Sequence, residues 1–148
     1  MKEKLKEAID LFEEVMIYGT ERVMKSMDLP LWQEYSPEQI QVLKILSAHG
    51  KATSAQLADF QGVHKSAISN RIKKLEEKGL ISLESDEHDR RSKVISLTEQ
   101  GKQVVQISDE AIYQSIEKLF LGKVDEKELD EFLFIFQKLK DILKLKGM

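Results

Sequence analysis

Residues 65–101 read KSAISNRIKKLEEKGLISLESDEHDRRSKVISLTEQG. Over the first half, Ile68, Ile72 and Leu75 recur at helical spacing and Gly79 follows as a stop, which predicts a helix over about 65–78. Period two then takes over. LISLE (80–84) and KVISL (93–97) alternate as strands, and the loop between them is dense in charge. Two adjacent arginines, Arg90 and Arg91, stand at the hairpin tip directly after Asp89. Thr98 then suits the cap of a further helix.

With Ile68, Ile72 and Leu75 turned inward, the helix shows Lys65, Ser66, Ser69, Asn70 and Lys73 outward, with Arg71 and Lys74 on its flanks. Short hydroxyl and amide side chains let a helix approach a DNA groove closely and bond base edges, while lysines reach phosphates on either side. Upstream, Thr53 and Gln56 form a capping-box pair that opens a short helix ending near Phe60, and Gln61-Gly62-Val63 reads as a turn. Two short helices across a Gly-containing turn describe a helix-turn-helix. A hairpin directly after it describes a wing, whose tip reaches the minor groove with a long cation. On this reading Ser66, Ser69 and Asn70 lie near base edges, Lys65, Arg71, Lys73 and Arg90 meet phosphates, Arg91 enters the minor groove, and the Asp89 carboxylate aims the Arg91 guanidinium. The plain alternative is a solvated helix face and a charged, soluble loop.

The same residues resemble the winged helix-turn-helix of the MarR family of bacterial transcription regulators. The K-S-x-x-S start of the helix, L-E-x-K-G-L-I after it, D-R-R, and the strand followed by L-T-x-x-G carry the resemblance over about 38–101. One position departs: the loop residue before the Asp, often arginine in the family, stands in an acidic stretch here, which weakens the expected phosphate contacts. The resemblance implies a mainly α fold with a small β-hairpin wing. It also implies a single MarR-like domain over 1–148, with a DNA-binding lobe at 36–101 and dimerisation helices at 1–30 and 103–146. It further implies a homodimer bound to double-stranded DNA, acting as a repressor and released by a small aromatic or anionic effector. Phe12, Met16, Trp32, Tyr35 and Tyr113 are the effector-pocket candidates.

The rest of the chain agrees in kind. Leu5, Ile9, Phe12, Val15, Met16, Val23 and Met27 set out an amphipathic first helix that LPLW (29–32) interrupts, because Leu29 precedes Pro30. Ser36, Pro37 and Gln39 open a second helix, with Tyr35 and Ile40 placed as a hydrophobic staple, and it ends at His49-Gly50. A long helix follows Thr98. Asp125 and Glu128 start the last helix, with Val124 and Leu129 as staple and Phe132, Leu133, Phe136, Leu139 and Leu143 along one face. FLFIF (132–136) is apolar around most of the helix, as burial on several sides requires.

Composition removes several function classes. With no cysteine among 148 residues, disulfides and thiolate metal sites are excluded. His49, His64 and His88 lack metal-ligand spacing, so no metal or cofactor is expected. No nucleophile-with-base motif or Gly-rich phosphate loop is present, so an enzyme is not expected. The longest run free of Asp, Glu, Lys and Arg is ATSAQLA, and the MKEKLKEAID start has no apolar core, so the expectation is a cytoplasmic protein without membrane span or signal peptide. Net charge is -3, but residues 51–102 hold 10 basic and 8 acidic side chains, against 6 and 9 before them and 7 and 9 after. Polyanion recognition depends on that local balance. Two other classes stay open: a winged-helix module for proteins, and a small-molecule binder without an operator.

Overall fold

Side-chain caps decide where three of the helices begin. Ser36, Thr53 and Asp125 each accept a bond from the N–H three residues on, at 3.2, 3.2 and 2.8 Å. Gln39, Gln56 and Glu128 return the bond to the cap's own N–H at 3.1, 2.9 and 2.9 Å. Each box satisfies two amides that the first turn otherwise leaves open.

The computed structural model describes residues 1–26, 30–89 and 91–144, and of residues 23, 24 and 26 the backbone only. The sequence assignments that rest on the Val23 side chain and on Met27, Leu29 and Arg90 fall outside the described residues. The element order is α1 (Lys2–Ser26), α2 (Pro30–Glu34), α3 (Pro37–His49), β1 (Lys51–Thr53), α4 (Ser54–Gln61), α5 (Lys65–Glu77), β2 (Ile81–Ser85), β3 (Lys93–Leu97), α6 (Glu99–Phe120) and α7 (Glu126–Leu143). Residues 1–112 form one unit and 113–148 another, with α6 running from the first into the second.

Two elements are additions to the sequence reading. LPLW does not simply break the first helix, because Pro30 opens the five-residue α2, a position where proline's missing N–H costs nothing. Lys51–Thr53 forms a strand too short to show alternation, so the wing is not a lone hairpin. The sheet has the order β1-β3-β2, all antiparallel, with Ala52 opposite Ile95 and Leu83 opposite Ile95 on the other side.

Leu43 and Leu46 of α3, Leu57 of α4, Ile68 and Leu75 of α5 and Ile95 of β3 are fully buried. Tyr35 and Ile40 join the same core, as a staple should, whereas Leu129 stays exposed beside its partner position Val124. In the second unit, Phe132 and Phe136 stack at 4.1 Å between ring centroids, yet the whole FLFIF run is exposed on the single chain.

The junction of α5, β2 and α6 is closely packed. Gly79 turns the chain out of α5 at φ +74, a left-handed conformation that glycine adopts without strain. The Thr98 hydroxyl donates to the Gly79 carbonyl at 2.6 Å and accepts from the Gly101 N–H at 3.1 Å, while the Thr98 N–H donates to the Leu80 carbonyl at 3.1 Å. Gly101 is buried so close to that carbonyl that any Cβ would collide with the Leu80 oxygen. The Thr and the Gly of L-T-x-x-G thus each have a physical duty. Gly101→Ala is expected to lower unfolding free energy by about 1–3 kcal/mol through overpacking, and Thr98→Ala by about 1 kcal/mol through the lost cap. Urea titration followed by circular dichroism measures both, and a neutral Gly101→Ala would contradict this packing.

Candidate nucleic-acid interface

Helix α5 buries Ile68, Ile72 and Leu75, and this fixes what it shows. Lys65, Ser66, Ser69, Asn70 and Lys73 are all exposed, as their spacing predicts. Its N-cap, His64, makes no side-chain cap bond, so the first amides of α5 carry no internal side-chain acceptor. Ahead of it, Gly62 closes α4 in the left-handed region and Val63 N–H bonds back to Ala58 O at 3.0 Å. This is the helix-turn-helix expected from the sequence.

Arg71 is placed differently from its neighbours. It is half-buried, and its Nη1 donates to Gln61 Oε1 at the end of α4. Gln61 in turn donates through Nε2 to Glu38 O at 2.9 Å and to Gln41 Oε1 at 3.0 Å. At least one donor of the guanidinium that the sequence reserved for phosphate is therefore spent inside the lobe. The signal was available in outline, since Arg71 is only three residues after the buried Ile68 and flanks the apolar face.

The wing keeps its cation but not the brace assigned to it. Asp89 Oδ1 accepts from the backbone N–H of Arg91 at 3.0 Å, and Oδ2 accepts from Ser92 Oγ at 3.3 Å. Asp86 does the same for the N–H of His88 at 3.1 Å. The loop closes where Asp86 N–H donates to Ser92 O at 3.0 Å and Ser92 N–H to Asp89 O at 3.1 Å. A short carboxylate finds an amide two residues on more readily than a long, solvated guanidinium, because that turn orders almost no side chain. Asp89 therefore shapes the backbone, and among the described residues no ion pair joins it to Arg91, which is exposed. Arg90 lies outside the described residues.

An open groove of about 430 Å³ lies between α1, α2 and α3. Met16, Thr20, Trp32, Gln41 and Lys44 are among its lining residues, so two of the five nominated side chains meet there. Tyr35 does not line it: the ring is core, with the Lys78 ammonium 4.3 Å from its centroid, and burial, followed by the nearby Glu34 carboxylate, raises its pKa above the usual value. Phe12 is outside the lining, and Tyr113 belongs to the second unit, where it is 64% exposed. Sequence reasoning looked for aromatics and passed over Lys44, which stands one turn from Ile40 on α3 and pairs with Asp109 at 3.0 Å. The Trp32 indole N–H is buried and meets no acceptor among the described residues.

Comparison with known proteins places this geometry. A sequence profile of the MarR family matches residues 34–92, which holds the helix-turn-helix and most of the wing. The HTH-type transcriptional regulator YdgG of Bacillus subtilis is 41% identical over 148 residues, covering 99% of this chain and 95% of its own. The chain belongs to the MarR family. It is a DNA-binding transcription regulator, and homodimers and repression are typical of that family. The fold recurs in a MarR family protein from Bacillus stearothermophilus, with a TM-score of 0.78 at 20% identity over 97% of this chain and 99% of that one. A mutant of MepR from S. aureus bound to an oligodeoxyribonucleotide has a TM-score of 0.57 at 23% identity, with 97% and 99% covered. Among the described residues, no helix is long and apolar enough to cross a membrane.

The role of Asp89 has a direct check. Asp89→Asn keeps an oxygen that can accept from the Arg91 amide, so protection of that amide in hydrogen exchange should persist. Asp89→Ala should remove it. Equal loss in both variants would mean that the charge, not the turn, is what the loop uses.

Proposed function

We propose that this regulator represses transcription as a homodimer on a pseudo-palindromic operator, and that the exposed face of α5 and the wing do the reading. The observation that carries this is the division of α5 into a fully buried apolar edge and an exposed edge of hydroxyl, amide and lysine side chains. Ser66, Ser69 and Asn70 lie against base edges, and Lys65, Lys73 and Arg90 against phosphates. Arg91 enters the minor groove from a turn that Asp89 holds. Arg71 contributes to phosphate binding only with the donors that Gln61 leaves free. The uncapped start of α5 adds amide dipoles toward the same backbone.

Residues 36–101 are the DNA lobe, and residues 1–30 and 103–146 supply the dimer contacts of one MarR-like domain. Support comes from apolar surface that a soluble monomer would not keep in this quantity. Leu5, Ile9 and Val15 on α1 and Phe132, Leu133 and Phe134 on α7 are all close to or more than half exposed on the single chain. A two-fold axis sets the two α5 helices about 34–36 Å apart, one DNA turn. The protein works in the cytoplasm, without catalysis.

Selection of bound duplexes from a random pool tests the reading. An inverted repeat with half-sites one turn apart should be enriched, and its affinity should fall steeply with salt. No enrichment and no salt dependence would return the lobe to protein recognition. On the selected operator, Arg91→Ala should cost about 1–3 kcal/mol, while Lys73→Ala should weaken all duplexes alike.

A small aromatic or anionic effector fits the groove, where Met16, Trp32 and Ile40 supply apolar surface and Thr20, Gln41 and Lys44 supply polar groups. Such a ligand lowers operator affinity only if it prefers the lobe spacing that DNA does not. Trp32 is the single tryptophan of the chain, so benzoate binding there should quench its emission, less so in Lys44→Ala.

A further inference from the structure

We propose that Gln61 is a positioning residue that sets the angle of the recognition helix and ties it to the α1–α3 groove. The inference rests on α5 being the DNA-reading element. Gln61 is the last residue of α4, directly before the left-handed Gly62, so it stands at the pivot of the helix-turn-helix. Its amide is fully used. Oε1 accepts from Arg71 on α5, and the two Nε2 hydrogens go to Glu38 O and Gln41 Oε1 on α3. The orientation admits no alternative, because a guanidinium only donates and a backbone carbonyl only accepts. Glutamate could not make the α3 bonds, and lysine could not accept from Arg71.

One side chain thus joins three helices, and its two ends face different parts of the molecule. Arg71 directly follows Ser69 and Asn70, so a turn of α5 about its axis moves the groove-facing side chains and Arg71 together. Gln41 lines the groove one helical turn before Lys44 and on the same surface as Trp32. A shift of α3 at the groove therefore reaches α5 through Gln41, Gln61 and Arg71, without passing through the packed core. Coupling of two sites is reciprocal, so operator bound to α5 must be felt at Trp32.

The test uses the full-length protein, the selected operator and a random duplex, with Trp32 emission as the reporter of the groove. In the wild type, saturating operator should change the emission. In Gln61→Leu, preference for operator over random duplex should fall about tenfold, the scale of one or two lost hydrogen bonds, random-duplex affinity should hold, and the emission change should vanish. Gln41→Leu removes the groove-lining partner and leaves the bond to Glu38 O, so it should nearly keep the operator preference and diminish the emission change. Unchanged preference in a folded Gln61→Leu would overturn the positioning role. A fall that merely tracks lost helical signal or an equal loss on random duplex would reduce Gln61 to a stabilising contact and overturn it too. Should Gln61→Leu not fold, Gln41→Leu decides, and an undiminished emission change there overturns the link. A wild-type emission indifferent to operator overturns the link as well. Failure of the underlying reading looks different, since the wild type would then select no operator at all.

Discussion

The Thr98 hydroxyl sits where α5 ends, the wing begins and the long α6 departs. Its bond to Gly79 O and its cap on Gly101 N–H hold three chain segments at one point, and the Leu80 carbonyl fills the space that a side chain at residue 101 would need. No single bond there exceeds about 1–2 kcal/mol in net worth. Their joint effect is geometric. The left-handed turn at Gly79 and the missing Cβ at Gly101 let α6 start against β2, so the direction in which α6 leaves the lobe is tied to the direction in which α5 presents its exposed edge.

Around this joint, polar side chains do the aiming and apolar ones the holding. Leu43, Leu57, Ile68 and Ile95 make a core that would tolerate small rotations of α5, since dispersion and burial have little directional preference. Hydrogen bonds have direction. Ser36, Thr53 and Thr98 set helix starts, Gln61 spans the pivot, and Asp86 and Asp89 fold the wing loop. The overall acidity of the chain is compatible with a polyanion partner because residues 51–102 hold 10 basic against 8 acidic side chains, and Lys65, Lys73 and Arg91 among them are exposed.

Much of this was readable before any coordinates. Capping boxes at Ser36, Thr53 and Asp125 are local chemistry within four residues, so the letters state the bonds directly. The split of α5 into buried and exposed edges follows from a period of 3.6. What escaped was non-local or too short for a period. Lys51–Thr53 is a strand only because β3 lies beside it, and α2 holds a single turn. Asp89 offered two chemically reasonable partners, and spacing could not show that the nearer backbone amide would win over the guanidinium. Tyr35 looked like a ligand contact from its type, yet its place directly before the Ser36 cap drives it into the core. Gln61 carried no signal as a lone amide in a turn. Its importance comes from Glu38 and Arg71, brought to it from both sides by folding.

The strand order β1-β3-β2 carries a consequence for how such a protein changes its target. Thr53 pairs with Val94 in the wing and at the same time caps α4, so the wing and the helix-turn-helix share a residue and cannot be re-aimed separately by bending the backbone. A change in what this surface contacts must then come from exchanging side chains on a fixed frame, such as the exposed ones of α5. The tip tolerates a change of length better than the paired strands do, since Ser85 with Lys93 is the last paired rung before it. Substitution on α5 and altered length at the tip are thus changes that leave the paired strands where they are.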